Sequence, residues 1–313
     1  MKINARTLWL AIGCACFCAV QGIHAEDKFT IETAQSAATN GDASALYFLA
    51  VHYAKGTGVP PDQAKAVDYM TRSAEKGFAF AENDLGSYYA KGRGVKQDFE
   101  IAASWYRKAA DHGDPLAQFS MGRIYAEGRG VPADPQESLK WYKKSAEQHQ
   151  SDAEFAVADI YLNGTGVPID CQAALNWYGK AFADGQAGAA NGMGYIYEHG
   201  APPEIPQDLA RARQCYQEGA DKLDGKAQMN LGRLYLEGSG VAADPVEAYK
   251  WFYLANLDGE RLANHYLRDM SGQTAINAKT GLLTPEQIAE ATKQAQEWRK
   301  AKIVARVSAP GAK

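Results

Sequence analysis

Two short motifs in this sequence could support nucleophilic chemistry. Residues 73–76 (Ser-Ala-Glu-Lys) have Ser-x-x-Lys spacing, and residues 279–281 (Lys-Thr-Gly) match the segment that accompanies it in penicillin-recognising enzymes. In those enzymes a strand presents the Lys-Thr-Gly segment, and the sequence around residue 279 predicts no strand. A β-lactam-binding or β-lactamase-type hydrolase with Ser73 as its nucleophile is therefore an alternative and not the main prediction.

The histidines form no metal-binding motif. No two of them have metal-ligand spacing, and His-Glu-x-x-His is absent. The sequence also has no Gly-x-Ser-x-Gly nucleophile elbow, and its Gly-x-Gly segments lack the Lys-Ser/Thr ending of a phosphate loop. We expect no metal, no cofactor and no enzymatic activity, with structural or solvated roles for the histidines after residue 25: His52, His112, His149, His199 and His265.

The first 25 residues have the three-part layout of a secretory signal peptide. Lys2 and Arg6 form a basic start, an uncharged and mostly apolar run extends from Leu8 to Val20, and Ala25 offers a small residue for cleavage. We predict export, to the periplasm first and by full secretion as the alternative. A buried N-terminal helix is the competing interpretation.

Cleavage after residue 25 would leave Cys171 and Cys215 of the five cysteines. An oxidising compartment permits a disulfide, which requires Cα atoms within ~7 Å of each other. Two separate buried thiols and one bridge both remain open.

The composition limits the class of partner. The 313 residues carry a formal net charge of −4, and the isoelectric point is about 5.9. A nucleic-acid binder needs a basic face that neutralises phosphates, so this balance argues against one. No apolar run approaches the ~18 residues of a membrane-spanning helix, and we expect no permanent span.

An internal repeat of 36 residues supplies the helices that position the candidate functional side chains. Six copies align over residues 41–258, and the fifth contains a two-residue insertion. The predicted copies are residues 41–76, 77–112, 113–148, 149–184, 185–222 and 223–258.

The first half of each copy has the periodicity of an amphipathic helix. Alanine at the fifth position, Gly or Ala at the tenth and Tyr at the thirteenth lie on one helical face. Glycine inside a helix costs about 1 kcal/mol relative to alanine, so the tenth position predicts close approach by another helix. The residues there are Ala50, Gly86, Gly122, Ala158, Gly194 and Gly232.

A tight turn and a second helix complete each copy. Glycine ends the first helix as a left-handed C-cap, and an aspartate begins the second as an N-cap. The second helix carries a small residue followed by a bulky pair, such as Trp105 and Tyr106. The predicted N-caps are Asp62, Asp98, Asp134, Asp170, Asp208 and Asp244.

Helices of about 12 residues are marginal alone in water, so each pair must pack on its neighbours. We predict an all-α fold, a right-handed α-solenoid of six 36-residue helix-turn-helix repeats with a concave face. The columns resemble the Sel1-like repeat family over about 70% of the chain, departing from it at Cys215 and at the Pro202-Pro203 turn. The resemblance implies a fold similar to tetratricopeptide arrays and the binding of proteins or peptides. Some cysteine-rich Sel1-like proteins have also been described as acting on β-lactams.

Helical caps are predicted at both ends of the array. Thr284 and Gln287 have the spacing of a capping box, with a proline in the first turn. The turn of the fifth copy predicts a local kink near residues 200–207. The predicted end segments are an N-terminal capping helix (26–40), a partial seventh repeat (259–270), a linker (271–283), a C-terminal capping helix (284–305) and a frayed tail (306–313).

A partner would contact the seventh and eleventh positions of the first helices, because they lie opposite the buried stripe. Exposed aromatic and arginine side chains are typical of binding hot spots. The alternative is that these side chains pack adjacent repeats together. The predicted binding residues are Tyr47, Asn83, Ser87, Phe119, Arg123, Phe155, Asp159, Asn191, Tyr195 and Arg233.

The sequence therefore predicts an exported, monomeric, non-enzymatic adaptor that binds a protein or peptide on its concave face. Envelope assembly or regulation, host interaction and immunity against a secreted effector are all compatible with this prediction. Besides the β-lactam alternative, a cell-wall-associated scaffold is a third possibility.

Overall fold

A computed structural model describes residues 30–201, 203–272 and 283–308. The predicted signal peptide, the Lys-Thr-Gly segment and most of the predicted linker and tail lie outside these residues. Within them the chain is α-helical, apart from one isolated β-bridge. It forms two compact units, which divide after Gln148.

Each unit consists of helix pairs that pack consecutively. The helices of unit 1 are α1 (Ile31–Thr39), α2 (Ala43–Lys55), α3 (Gln63–Glu75), α4 (Ala79–Lys91), α5 (Phe99–Asp111), α6 (Pro115–Glu127) and α7 (Pro135–Ala146). Those of unit 2 are α8 (Ser151–Asn163), α9 (Cys171–Ala183), α10 (Gly188–His199), α11 (Leu209–Asp221), α12 (Gly225–Glu237), α13 (Pro245–Leu257), α14 (Arg261–Met270) and α15 (Pro285–Ser308).

The predicted N-cap aspartates are confirmed, and so are five of the six predicted C-cap glycines. All six aspartates accept hydrogen bonds from amides in the first turn of the second helix. The glycine that ends the first helix is left-handed in five copies, with φ between 65° and 72°. In the fifth copy Gly200 has a φ of 68° but a ψ of 170°, which sends the chain in another direction.

In the fifth copy, which has the two-residue insertion, a backbone bridge follows Gly200. Ala201 and Ile205 exchange backbone hydrogen bonds of 2.7 and 3.0 Å. Ile205 is 4% exposed and packs into the core beside α10. It replaces the turn valine of the other copies, so the insertion keeps an apolar side chain at this place.

The glycine at the tenth position makes room for an aromatic ring of the second helix. A β-carbon at Gly86 would lie 2.9 Å from Tyr106 Cδ1, and one at Gly194 would lie 2.5 Å from Tyr216 Cε1. Both distances are too short for carbon atoms, which confirms the predicted close approach. In the fourth copy the tenth residue is Ala158, and the Tyr178 ring lies against Gly192 instead.

The cores run from pair to pair within each unit. Alanines of the fifth position are fully buried, whereas the tyrosines of the thirteenth position are half-buried. Several of these tyrosine rings lie under a basic side chain, as Tyr53 does under Lys65. Their carbonyls also accept the backbone N–H of the N-cap aspartate in every copy, which closes the turn.

The C-terminal helix covers the last repeat of unit 2. Thr284 and Gln287 form the predicted capping box, and α15 extends to Ser308. Its Trp298 ring meets Trp251 of α13 edge-to-face at 5.1 Å, and Arg299 pairs with Asp258 at 2.6 Å. None of the helices in the described part of the chain is long and apolar enough to cross a membrane.

Cys171 and Cys215 are free, half-buried thiols at α9 and α11. Burial raises the pKa of the Cys215 thiol to about 11, and burial also raises that of Cys171. Because the thiolate is the reactive form, the raised pKa lowers the expected reactivity of both cysteines.

Candidate partner-binding surface

The predicted binding residues all lie on the first helix of a repeat. We call the side chains of the seventh, eighth and eleventh positions the first-helix face, carried by α2, α4 and α6 in unit 1 and by α8, α10 and α12 in unit 2. Each unit has its own first-helix face. The two faces differ in how much of their side-chain surface is exposed to solvent.

In unit 1 the first-helix face is largely occupied by contacts between its own residues. The Tyr47 hydroxyl donates to Asp84 Oδ2 at 2.9 Å, and its ring lies 5.3 Å from that of Phe78. Asn83 is buried and Ser87 is half-buried. Arg123 is exposed and makes a long ion pair of 3.8 Å with Glu127.

Phe119 and Phe155 are half-buried and pack against the second helix of their own repeats. The Phe119 ring lies 5.4 Å from that of Tyr142, and the Phe155 ring lies 5.5 Å from that of Tyr178. Both rings therefore contribute to packing within their own repeats, whereas the sequence had suggested packing between adjacent repeats as the alternative to partner binding.

In unit 2 the predicted polar residues are hydrogen-bonded across helices. Asp159 accepts a short hydrogen bond from the Tyr178 hydroxyl. Asn230 donates to Asn191 at 2.8 Å, which ties α12 to α10. Tyr195 keeps 47% of its surface exposed.

Arg233 is the most firmly held of the predicted binding residues. Its Nη2 donates to both carboxylate oxygens of Glu198, at 2.6 and 2.7 Å, and Nη1 reaches Glu237 at 3.2 Å. Glu198 also accepts from the Tyr216 hydroxyl at 2.7 Å. A buried carboxylate needs such partners, and here the guanidinium and the phenol supply them.

These contacts fix the protonation states in the network. Burial, and then the Glu198 carboxylate, raise the pKa of Tyr216. Burial alone would lower the pKa of Arg233, but Glu198 outweighs it and the pKa is raised. At neutral pH the network therefore holds a charged guanidinium and a neutral phenol in fixed positions.

A pocket opens beside Arg233, between α12 and α14. Its volume is about 230 Å³. Met229, Leu262 and Tyr266 give it an apolar side, and Leu262 is 64% exposed at its edge. The polar lining consists of Asn230, Arg233, His265 and Asp269.

Sequence reasoning missed Glu198, Tyr216 and the residues that α14 contributes to the pocket. Glu198 occupies the fourteenth position of its repeat, where the other copies have only Ala or Leu. A charged residue at a repeat position that is apolar in every other copy was therefore the sequence feature that could have identified Glu198 as a site residue. The pocket lining from α14 gave no such signal, because the seventh repeat is incomplete.

Ser73, the nucleophile of the hydrolase alternative, is fully buried. Its hydroxyl donates to the Ala43 carbonyl at 2.7 Å. Ser145 occupies the same position two repeats later and donates to the Pro115 carbonyl at 2.6 Å. The serine therefore ties the second helix to the start of the first, and its hydroxyl is not presented to a substrate.

The recurring helix pairs and their shared caps define an all-α repeat protein of the solenoid class. The chain belongs to the Sel1 repeat family, as the sequence resemblance implied. The family profile matches residues 43–78, 79–114, 115–149, 151–186, 187–222 and 225–259. Sel1 repeat proteins are protein-interaction scaffolds.

Solved structures of similar proteins share this fold. A protective antigen present in uropathogenic Escherichia coli strains is 30% identical with a TM-score of 0.74, over 90% of this chain and 60% of that protein. The chain thus spans about 60% of the antigen's length. A Sel1 repeat protein from Oxalobacter formigenes is 28% identical with a TM-score of 0.66, over 82% of this chain and 96% of that one.

An immunity protein from Pseudomonas aeruginosa aligns at 18% identity with a TM-score of 0.44, over 72% of this chain and 83% of that one. Similarity at this level says nothing about function. None of the curated proteins compared matches the sequence.

Proposed function

We propose that this protein is an exported, non-enzymatic adaptor that binds a protein partner through the first-helix face of unit 2 and the adjoining pocket between α12 and α14. The role as an interaction scaffold follows from the family. The location of the binding surface and the export of the chain are our proposals. Export is supported by the basic start, apolar run and small residue of the first 25 residues.

The observation that carries the proposal is the combination of free apolar surface with an ordered arginine. Tyr195 and Leu262 are among the exposed large hydrophobic side chains of the described residues, at 47% and 64%. Arg233 lies at the pocket that Leu262 borders, and Glu198 fixes its guanidinium. Aromatic and arginine side chains held in place lose little entropy on binding, so they are favoured as hot spots.

The pocket indicates what kind of segment the partner would present. Its apolar side fits one aliphatic or aromatic anchor side chain, and Asn230 and Arg233 can bond a neighbouring carbonyl or carboxylate. The other predicted residues on this face, Asn191 and Asp159, would border the contact.

The test is affinity capture from the envelope fraction, with mass spectrometry, using the wild type and variants. Tyr195→Ala and Leu262→Ala should each reduce recovery of the partner, and together they should abolish it. The matched control is Ile169→Ala, since Ile169 is 66% exposed but lies in the α8–α9 loop, off the first-helix face. Equal recovery by the double variant and the control would refute the proposed surface.

The hydrolase alternative has a separate test. We expect the wild type to hydrolyse a chromogenic β-lactam no faster than the uncatalysed background. Ser73→Ala should give the same background rate. A wild-type rate above background that Ser73→Ala removes would favour the enzyme.

A further inference from the structure

The sixth and last residues of a repeat meet in the second and third copies, where they form a matched polar pair. In the second copy His112 Nδ1 and Glu82 Oε2 are 2.8 Å apart. In the third copy Gln148 Nε2 donates to Gln118 Oε1 at 2.8 Å. Each pair satisfies a buried group near the start of the first helix.

The fourth copy is different, because its two residues are both acidic. They are Glu154 on α8 and Asp184 at the end of α9, and His149 lies beside them. His149 Nδ1 is 2.9 Å from Asp184 Oδ2, and one ligand atom from each of the three side chains lies within 4.8 Å of the others.

One carboxylate oxygen of Glu154 is left without a hydrogen-bond partner in this cluster. The residue is 1% exposed, and its Oε2 accepts no hydrogen bond. A buried carboxylate oxygen without a partner is costly unless a cation or a donor joins it.

His149 occupies a place where a side chain is unfavourable. Its φ is 60°, and four of the six copies have glycine there: Gly41, Gly77, Gly113 and Gly185. The left-handed conformation penalises an L side chain, so glycine would suit the backbone better. The imidazole is 82% exposed and borders the two carboxylates from the solvent side.

We propose that His149, Glu154 and Asp184 form a binding site for a divalent transition-metal ion, and that Zn²⁺ is the ion it fits best. One imidazole nitrogen with two carboxylate oxygens suits Zn²⁺, whereas Ca²⁺ takes six to eight oxygen ligands. With Zn–ligand distances of about 2.0–2.2 Å, tetrahedral ligand atoms are ~3.3 Å apart. The 2.9 Å pair of His149 and Asp184 would therefore open slightly, and the separations of up to 4.8 Å within the cluster would close.

The ion would neutralise both carboxylates and occupy the unsatisfied side of Glu154 Oε2. It would join the first turn of α8 to the end of α9, as a hydrogen bond does in the second and third copies. Because His149 is exposed, the fourth coordination position faces solvent and can take water or a ligand atom from another molecule.

The test is calorimetric titration of untagged, chelator-treated protein with Zn²⁺ at neutral pH. The wild type should bind one ion. His149→Gly and Glu154→Gln should lose this binding while retaining the far-ultraviolet circular dichroism of the wild type. Both replacements are residues that sister repeats already have at these positions, Gly77 and Gln118 for example.

The matched control is His112→Gln, which alters the single-carboxylate pair of the second copy and should leave Zn²⁺ binding unchanged. Absence of saturable binding in the wild type would overturn the proposal, and so would equal affinity in wild type, His149→Gly and Glu154→Gln. Titration with Ca²⁺ should give weaker binding than Zn²⁺, and tighter binding would overturn the assignment to a transition metal.

Discussion

Position eleven holds an arginine in both units, and the two side chains are held very differently. Arg123 of unit 1 is exposed and only approaches Glu127, a residue of its own helix, at 3.8 Å. Arg233 of unit 2 makes two short hydrogen bonds to Glu198, which the preceding first helix supplies. A repeat position thus becomes an ordered anchor only where a neighbouring repeat provides a buried carboxylate.

The aromatic residues show the same contrast. The Tyr47 hydroxyl in unit 1 bonds to Asp84, whereas Tyr195 in unit 2 keeps almost half of its surface exposed. Beside this free surface unit 2 has a pocket, to which the incomplete seventh repeat contributes α14. The family framework is common to both units, and the proposed binding surface comes from the departures in unit 2.

The largest expected effect concerns the two arginine pairs. Glu198→Ala should lower the free energy of unfolding by about 3 kcal/mol, because Arg233 and the Tyr216 hydroxyl lose their buried partner. Glu127→Ala should cost less than about 0.5 kcal/mol, since its ion pairs with Arg123 and Arg129 are both exposed and screened by solvent. Urea unfolding measures both. Equal losses would remove the distinction between the two units.

The next largest effect concerns a packing contact that both units share, between a phenylalanine of the first helix and a tyrosine of the second. Phe119→Ala and Phe155→Ala should each destabilise the fold by about 2 kcal/mol, since each half-buried ring packs against a tyrosine of the second helix. Urea or thermal unfolding of the single variants measures this loss. Unchanged stability in either variant would show that its ring belongs to a free surface.

A smaller effect is expected at the buried serines. Ser73→Ala and Ser145→Ala should each cost about 1 kcal/mol, because the carbonyls of Ala43 and Pro115 lose a buried donor. Similar unfolding curves for the two variants would support a shared structural role. A loss confined to Ser145→Ala would mean that Ser73 has another role.

The smallest effect has opposite signs in the two units. In metal-free protein Glu82→Gln should destabilise unit 1, because it weakens the pair with His112. Glu154→Gln should stabilise unit 2, because it removes a buried charge that faces Asp184.

The pH dependence of the second variant follows from the raised pKa of Glu154. The folded state binds the proton more tightly than the unfolded state, so Glu154 destabilises the fold increasingly as pH rises from below 4.5 towards neutrality. The advantage of Glu154→Gln over the wild type should therefore be larger at pH 7 than at pH 4 in thermal melts. An advantage that shrinks as pH rises would contradict the burial of an unpaired carboxylate.

The fold could be predicted because its determinants recur every 36 residues. The N-cap aspartates and the glycines that receive Tyr106 and Tyr216 act locally, and six aligned copies show which residue types each place requires. The site could not be predicted in the same way. Tyr195 is exposed and Phe119 is half-buried, and this difference depends on the direction of each side chain. The residue types at each repeat position do not determine that direction.

The acidic cluster shows a different limit. His149 and Asp184 are separated by almost a whole repeat, so no local spacing rule brings them together. Only the pairing of the sixth and last residues, visible once the helices are packed, places Glu154 next to them. Comparison of the sixth and last repeat positions across the six copies would have shown that only the fourth copy has an acidic residue at both.

The most direct test of the proposed binding surface is site-specific photocrosslinking in the cells that make this protein. A benzophenone amino acid replaces Tyr195 in one variant and Ile169 in the other. We predict one adduct of defined mass from position 195, competed by purified wild-type protein, and none from position 169. An adduct of equal yield at position 169, or none at position 195, would contradict the account.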